Sequence, residues 1–457
     1  MKKIFQAQKR LFERGLTQGY RFRKEKLLLL KTAIINNKQH LINALHQDLN
    51  KSETEAILTE IGPVLQEINF YLKHLKKWMQ PQPVKTPFIL KPGKSYRWFA
   101  PLGLNLIISP WNYPVNLTFI PLAAAVAAGN TAIVKVSSYS RHTGQIIAKI
   151  ISEAFSSDHV AGFTGPRTEA DYLLNMEFDH IFFTGSAAVA KIISEKAARH
   201  LSRVTLELGG KSPVVIDDTV NLKIAARRIV FGKLINAGQT CIAPDYLICK
   251  SEIRDEVIKE LVTALKEAYP AGFLDNLDYP KIINEKHYNR LCELIKQQKP
   301  LFGGAFRQQK IEPALILADN DSPLLHEEIF GPILPIITYN NEAEIKTIID
   351  RNPFPLAFYL FSKNNKLKKQ LLSTIRFGGC SINDTLSHFI NNRLPFGGIR
   401  LSGQGSYHGF YSFRTFSHEA GIYEKHHKRE IKLKYPPYSS KIKKIIRKIF
   451  LPKNNKA

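Results

Sequence analysis

Hydrophobic and polar positions follow two different patterns along this chain. The first 80 residues have apolar positions at helical spacing and few helix breakers, most clearly from Phe22 to Leu49, and predict helices. Further on, the apolar runs LNLIIS, TAIVKVS and HIFFTGS predict strands. Between and after them, PVNLTFIPLAAAVAAGN, TGQIIAKIISEAF and AAVAKIISEKAARHL predict helices. This alternation predicts a parallel α/β sheet.

A second α/β region opens at VTLELGGKSPVVIDD, where AARRIVFGKLINAG predicts a helix leading to Cys241. The proline-rich stretch QPQPVKTPFILKPGK, from Gln80 to Lys94, predicts a linker or an extended arm. Near the C-terminus, apolar residues recur at i, i+3, i+4, i+7 and i+8, with lysine and arginine on most of the other face. They are Ile442, Ile445, Ile446, Ile449 and Phe450. This pattern predicts a short basic amphipathic helix that could lie on a surface but not span a bilayer.

Composition narrows the possible classes of protein. A length of 457 residues predicts two or three domains. The four cysteines show neither CxxC spacing nor a metal pattern with histidines, which favours a reducing compartment over a disulfide framework. The N-terminal MKKIFQAQKRLFERG lacks the apolar core of a secretory signal. The most apolar stretch is interrupted by proline, glycine and asparagine, so we expect no transmembrane helix.

The net charge of +26 is high, and residues 425–457 carry +11 of it. A basic surface favours contact with anionic membranes, nucleic acid or anionic ligands. The positive charge outside residues 425–457 has an alternative explanation, which is a general compositional bias toward lysine, isoleucine and asparagine.

Three residues are candidates for chemistry. Cys241 lies among small polar residues in NAGQTCIAPDY, unlike a buried structural thiol. Glu207 stands in an apolar strand before two glycines, where a raised pKa would suit a general base; the alternative is an exposed strand residue. Asn112, in SPWNYP after a predicted strand, could donate to a developing oxyanion; the alternative is a turn asparagine. FTGS, which opens a predicted helix, is a weak pyrophosphate signal by itself.

Several motifs occur together in a fixed order: SPWNYP, GNTAIVK, FTGS, LELGGKSP, GQTC, EEIFGP and PFGG. With them the chain resembles the aldehyde dehydrogenase superfamily over nearly its whole length. GQTCIAPDY, INDTLSHF, YHGFYSFRTFSH and YPPY strengthen the resemblance to class 3 and fatty aldehyde dehydrogenases. The resemblance implies an α/β fold with a Rossmann-like cofactor domain, a catalytic α/β domain and a small β oligomerisation arm.

The implied domain boundaries follow this order. The cofactor domain takes residues 1–207, with the extended arm at about 80–100, and the catalytic domain takes 208–390. A bridging or oligomerisation segment takes 391–424, and a basic tail takes 425–457. The arm is expected from the stretch after Gln80 together with Leu394 to Ser417.

The resemblance also implies residue roles. Cys241, as a thiolate of lowered pKa, attacks the aldehyde, Asn112 and the Cys241 N–H hold the oxyanion, and Glu207 activates the water that hydrolyses the thioester. The implied cofactor is NAD or NADP, and no metal site is expected. The cofactor residues are Lys135 at the adenosine ribose, Gly185 and Ser186 at the pyrophosphate, Glu328 at the nicotinamide ribose, Phe330 near the nicotinamide, and Trp111 lining the cleft.

The sequence departs from the family pattern in four places. Ser138 stands where a glutamate commonly grips the adenosine ribose, which leaves room for NADP. Ala190 replaces a glycine near the pyrophosphate, a change expected to be tolerated. Arg400 stands where glycine is usual and is expected to disfavour a backbone with positive φ. The segment SSDHVAGFTG looks short for the strand and loop it should contain.

The resulting hypothesis is a cytoplasmic homodimer that oxidises aldehydes with NAD or NADP to carboxylic acids through a thiohemiacetal and a thioester. Medium- or long-chain aliphatic or aromatic aldehydes are expected, with INDTLSHF near the substrate entrance and the basic tail as a peripheral membrane contact. Nucleic acid is not expected as a partner. The alternative is an impaired dehydrogenase scaffold that acts as a basic membrane- or nucleic-acid-binding protein. A coenzyme A-acylating enzyme is disfavoured because Glu207 is present as a base.

Overall fold

The computed structural model describes residues 1–428 and 435–451. The α-helices are α1 Lys2–Glu13, α2 Tyr20–Asn36, α3 Lys38–Leu49, α4 Glu53–Ala56, α5 Gly62–Trp78, α6 Asn116–Ala128, α7 Arg141–Ala154, α8 Arg167–Leu173, α9 Ala187–Ala198, α10 Leu222–Leu234, α11 Arg254–Ala268, α12 Glu285–Lys296, α13 Glu342–Ile349, α14 Asn365–Thr374, α15 Ser387–Ile390, α16 Gly409–Thr415 and α17 Ser440–Phe450. The strands are β1 Gln82–Val84, β2 Gly93–Pro101, β3 Leu104–Ser109, β4 Thr131–Val136, β5 Val160–Phe163, β6 His180–Thr184, β7 Arg203–Glu207, β8 Pro213–Ile216, β9 Tyr246–Lys250, β10 Pro300–Phe302, β11 Phe306–Arg307, β12 Lys310–Ile311, β13 Ala314–Leu317, β14 Ile333–Tyr339, β15 Ala357–Phe361, β16 Gly379–Ile382, β17 Gly403–Gln404 and β18 Ser417–Lys425.

The predicted parallel sheet is confirmed in a six-stranded sheet of order β17-β7-β6-β3-β4-β5. β3 to β7 run parallel, and β17 joins the edge of β7 antiparallel. Every residue of α6 is buried, which explains why its sequence is apolar on all sides. The helix ends at Gly129, whose φ of 90° lies in the left-handed region that glycine adopts without strain. The segment SSDHVAGFTG, expected to be short for a strand, nevertheless contains β5.

The second α/β region forms a seven-stranded sheet of order β10-β13-β14-β9-β8-β15-β16. Its strands are parallel except for β10, which pairs antiparallel with β13. The chain passes from the first sheet to the second between β7 and β8. The C-terminal end of β7 brings Glu207 to the candidate site, and Gly210 lies in the connection that follows it.

The chain divides into two compact units: Met1–Met79 with Ala100–His418, and Gln80–Phe99 with Glu419–Ala457. A three-stranded sheet of order β1-β2-β18 confirms a small β arm. Its third strand begins at Ser417, so the expectation that Leu394 to Ser417 supplies the arm is wrong. That segment instead holds β17, which pairs with β7, and α16, which packs on α5 and α6.

The predicted amphipathic helix is present as α17, and the Ser439 hydroxyl accepts a hydrogen bond from the Ile442 N–H at its start. Residues 429–434 and 452–457 of the predicted tail lie outside the described residues. Within residues 1–428 and 435–451, no helix combines the length and the apolar character needed to cross a membrane.

Candidate active site

Glu207 is the last residue of β7 and is 2% exposed. Neither of its carboxylate oxygens has a hydrogen-bond partner among the described residues. Burial raises the pKa of this carboxyl well above its ordinary value. The sequence prediction of a strand carboxylate with a raised pKa is thus confirmed, and the exposed alternative is wrong.

Cys241 follows a kinked segment, Ile235–Gly238, in which Asn236 and Ala237 have φ angles of 54° and 50°. These left-handed conformations turn the chain sharply after α10 and bring the thiol, partly exposed, into a cavity with Glu207. Burial raises the pKa of the Cys241 thiol, and the nearby Glu328 and Glu207 carboxylates raise it further. The expectation of a lowered pKa is therefore wrong for this state of the protein, because burial and the two carboxylates outweigh the backbone N–H groups of Cys241 and Ile242, which lower the pKa.

Asn112 lies in the loop after β3 and is 4% exposed. Its Nδ2 donates to the Gln239 carbonyl at 3.0 Å, two residues before the cysteine. Its own carbonyl accepts from Asn236 Nδ2 at 2.9 Å. One amide hydrogen of Asn112 remains available beside the Cys241 segment, which is the arrangement that an oxyanion donor requires.

A buried ion pair that the sequence analysis missed supports this loop. Lys51 Nζ lies 2.7 Å from Glu60 Oε1, both side chains are fully buried, and Lys51 also donates to the Asn112 carbonyl at 3.0 Å. Glu60 Oε2 accepts from the backbone N–H groups of Val115 and Asn116 at the start of α6. Burial raises the Glu60 pKa despite these donors. The π-helical turn Ile57–Ile61 shifts Glu60 toward the loop, and no pattern in the sequence predicts such a turn.

A cavity of about 440 Å³ reaches Cys241, Glu207 and Thr240. Its lining is mainly apolar. Its apolar lining residues include Ile120, Phe231, Ile242, Leu356, Leu386 and Phe389. Ile57, Leu58, Phe231 and Ile390 line it and are also solvent-exposed, so they mark its mouth. Five residues of INDTLSHF line the cavity, so the segment expected near a substrate entrance does border it.

The expected pyrophosphate residues lie at the end of β6, on the same edge of the sheet as Glu207. A Cβ on Gly185 would fall 2.5 Å from the Phe183 ring, so this position has no room for a side chain. Ser186 precedes α9 and makes no side-chain cap, which leaves backbone N–H groups of the first turn to bind an anion. Ala190, on α9, is 2% exposed and packs in the core, and tolerance of its methyl near the pyrophosphate stays a prediction.

Glu328 is close enough to Cys241 to raise its pKa, and Phe330 follows Glu328 by two residues. Glu328 Oε1 accepts from the Gly210 N–H at 3.0 Å, and burial raises its pKa to about 8. The Trp111 and Phe330 rings meet edge to face with centroids 5.5 Å apart. Phe330 has a φ of 51°, a strained value held by the turn EEIFGP. The structure therefore gathers Cys241, Glu207 and Glu328 at one point.

These residues fit a dinucleotide, since an uncapped helix start beside Gly185 suits a pyrophosphate and the aromatic pair suits a flat ring. Ser138 is exposed after β4 and carries no charge. Arg400 has a φ of 54°, so the expectation that arginine disfavours this conformation is wrong; its guanidinium stacks 5.2 Å from the Phe354 ring. No group of three His, Cys, Asp or Glu side chains in the described part of the chain could hold a metal ion.

Comparison with known proteins gives three consistent findings. A sequence model described as the aldehyde dehydrogenase family matches residues 2–420. The chain is 43% identical over 446 residues to 4,4'-diaponeurosporen-aldehyde dehydrogenase of Staphylococcus aureus, covering 96% of this chain and 97% of that protein. It is 42% identical over 433 residues to aldehyde dehydrogenase family 3 member A2 of Mus musculus, covering 94% and 90%. A solved structure, "Substrate bound state of Staphylococcus Aureus AldH", superposes with a TM-score of 0.95 at 42% identity, covering 98% and 99%.

Proposed function

This chain belongs to the aldehyde dehydrogenase family and oxidises aldehydes with NAD or NADP, and from that premise we propose that its substrates are medium- or long-chain aliphatic or aromatic aldehydes. The observation that supports this substrate class is the apolar cavity ending at Cys241. An aldehyde with an apolar chain would bury that chain along the cavity and present its carbonyl to the thiol. The alternative of an impaired basic scaffold finds no support, since the thiol and the base lie in one cavity and the amide hydrogen-bonds to Gln239, two residues before the cysteine.

We propose the following chemistry for these side chains. Cys241 Sγ bonds to the aldehyde carbon as the thiol proton passes to water, and the carbonyl π bond breaks to leave an oxyanion. Asn112 Nδ2 and the Cys241 N–H donate to that oxygen, an interaction typically worth about 100-fold or more in rate per donor. When bound, the nicotinamide would accept the hydride that leaves this carbon. The carbon–hydrogen bond breaks as the oxyanion re-forms the carbonyl, which leaves a thioester on Cys241.

Glu207 completes the turnover. Its ionised carboxylate takes a proton from water, the hydroxide oxygen bonds to the thioester carbon, and the carbon–sulfur bond breaks to release the acid and the thiol. The apolar surroundings that raise the Glu207 pKa also make its carboxylate a stronger base once it has ionised. The proximity of Glu207 and Cys241 in one cavity supports this order.

A chain-length series tests the substrate class. We expect kcat/KM to rise from propanal to decanal, by up to about fourfold per buried methylene, since each methylene contributes about 0.8 kcal/mol. Phe231→Ser should lower the value for decanal and leave propanal unchanged, because Phe231 lies at the cavity mouth. Leu372→Ser, at an exposed apolar residue on α14 outside the cavity, is the control. Equal kcat/KM across the series would contradict the proposal, whereas absence of any oxidation would contradict the chemistry itself.

The second unit supports a proposal about assembly. Phe88 is 87% exposed and Trp98 is exposed on β2, which is more apolar surface than such a small sheet needs. We propose that this sheet pairs the chain with a second copy, and that the free cysteines reflect residence in the reducing cytoplasm. A mass in solution of twice 51.9 kDa would support the dimer, and a monomer would contradict it.

The basic helix α17 supports a further contact. Ile449 and Phe450 are exposed beside Lys443, Lys444 and Arg447. We propose that this face lies on an anionic bilayer, to which each basic residue contributes about 1 kcal/mol. Sedimentation with phosphatidylglycerol vesicles, lost in a Lys443→Glu/Lys444→Glu variant and absent with phosphatidylcholine, would support it. Equal binding by native and variant proteins would contradict it.

A further inference from the structure

A lysine and a carboxylate meet at the edge of the six-stranded sheet, outside the cavity. Lys135 ends β4 and is 4% exposed, and its Nζ donates to the carbonyls of Val136 at 2.9 Å and Gly165 at 2.6 Å. The carboxylate of Glu169, on α8, covers Gly165 so closely that a Cβ there would lie 2.1 Å from it. Gly165 therefore lies between the two charged side chains. Its carbonyl accepts a hydrogen bond from Lys135, and its Cα packs against the Glu169 carboxylate.

The Glu169 carboxylate is incompletely satisfied. Its Oε2 is buried and has no hydrogen-bond partner among the described residues. A buried carboxylate oxygen without a donor is costly, so a group that donates to it from outside the protein would be stabilised there. Lys135 has three ammonium hydrogens and gives two of them to carbonyls, which leaves one for an oxygen acceptor at the same place. A donor and an acceptor side by side match a pair of vicinal hydroxyl groups.

The position of this pair fits one part of a dinucleotide. Lys135 is the penultimate residue of β4 and Gly185 follows β6, and the carboxyl ends of these two strands lie on the same sheet edge. β3 separates these two strands, so the two points lie about 10 Å apart across the sheet. Ligands of open α/β sheets bind at this edge. Ser138, where a carboxylate would be expected for the ribose, is an uncharged exposed residue.

We propose that Glu169 binds the adenosine ribose hydroxyls beside Lys135 and makes the protein select NAD over NADP. This inference rests on the proposed NAD(P)-dependent function. A 2'-phosphate would place two negative charges beside the carboxylate, and like charges at hydrogen-bond distance repel strongly away from bulk water. Without Glu169, Lys135 would attract the 2'-phosphate. The Glu169 carboxylate therefore decides whether the protein prefers NAD or NADP. The discrimination that Ser138 cannot provide comes from a different element, α8.

Binding of nucleotide fragments tests the proposal without turnover. Calorimetry of the native dimer or monomer with AMP and with adenosine 2',5'-bisphosphate should show preference for AMP by about tenfold or more. Glu169→Gln should reduce that preference by about tenfold, mainly through tighter binding of the bisphosphate. Glu177→Gln is the matched control, because Glu177 is an exposed carboxylate before β6, on the opposite edge of the sheet.

Each outcome of the calorimetry either supports or overturns the role proposed for Glu169. A preference that is unchanged in Glu169→Gln, or a native protein that prefers the bisphosphate, overturns the role of Glu169 while leaving aldehyde oxidation intact. A native protein that binds neither fragment overturns this inference and the proposed cofactor site together. Circular dichroism of Glu169→Gln confirms that the variant is folded, and Glu169→Asp should retain the native preference, since it keeps the charge.

Discussion

Replacing Cys241 by serine is expected to abolish aldehyde oxidation, lowering kcat by about 10⁴-fold or more, the scale seen when a catalytic nucleophile is removed. A hydroxyl is a much weaker acid than a thiol, and the neighbouring Glu207 and Glu328 carboxylates already oppose ionisation at this position. The measurement is reduced-nicotinamide absorbance with decanal and either cofactor.

Cys292→Ser is the matched control for that variant. Cys292 is a buried thiol on α12, outside the cavity lining, so its loss should cost stability and not the chemical step. If Cys241→Ser keeps activity within tenfold of the native protein, the nucleophile is another group and the proposed route fails.

Replacing Glu207 by glutamine is expected to separate the two half-reactions. Thioester formation should continue and give one equivalent of reduced cofactor per active site, after which turnover should slow by about 10²- to 10⁴-fold, the usual contribution of a general base. Rapid mixing followed by intact mass measurement should show the acyl group retained on the protein. Glu195→Gln, at an exposed carboxylate on α9, should behave as the native protein. Steady turnover without a burst in Glu207→Gln would contradict the assignment.

The stability of the native protein and that of Glu207→Gln should depend differently on pH, because only the native protein carries the Glu207 carboxyl. The folded-state pKa of Glu207 is raised by burial, so an unfolded chain ionises this group first. Native stability is therefore lost as the pH rises from the ordinary glutamate pKa toward the folded value, and Glu207→Gln escapes that loss. We expect urea unfolding to show Glu207→Gln as the more stable protein at pH 8, with the difference shrinking near pH 4. Native hydrolysis of the thioester should accelerate with rising pH because the base must ionise.

Sequence patterns predicted the parts of this protein that depend on local spacing. The apolar runs at β3, β4 and β6 are continuous because both faces of a parallel sheet are covered, and such runs are recognisable without a structure. Glu207 and Asn112 were recognisable for a related reason: Glu207 is a polar residue at the end of an apolar strand, and Asn112 lies three residues after one.

Features that depend on tertiary contacts could not be predicted in this way. The Lys51–Glu60 pair joins residues in a stretch that reads as an ordinary charged helix, and only the π-helical turn brings Glu60 to α6. The raised pKa of Cys241 comes first from burial and then from carboxylates 34 residues before it and 87 residues after it in the sequence. Arg400 combines a left-handed backbone with a guanidinium over the Phe354 ring, a contact with no local signal.

The pairing of β17 with β7 has a consequence for how the protein is made. Gly403 and Gln404 hydrogen-bond to the edge strand that ends in Glu207, yet they are translated about 200 residues later. At about 5 to 20 residues per second, the ribosome leaves that edge uncovered for roughly 10 to 40 s. During this interval the nascent chain exposes a strand edge that can pair with other chains. Synthesis rate and chaperone supply should therefore limit the yield of active protein more than its final stability does, and slow codons after residue 207 should lower that yield.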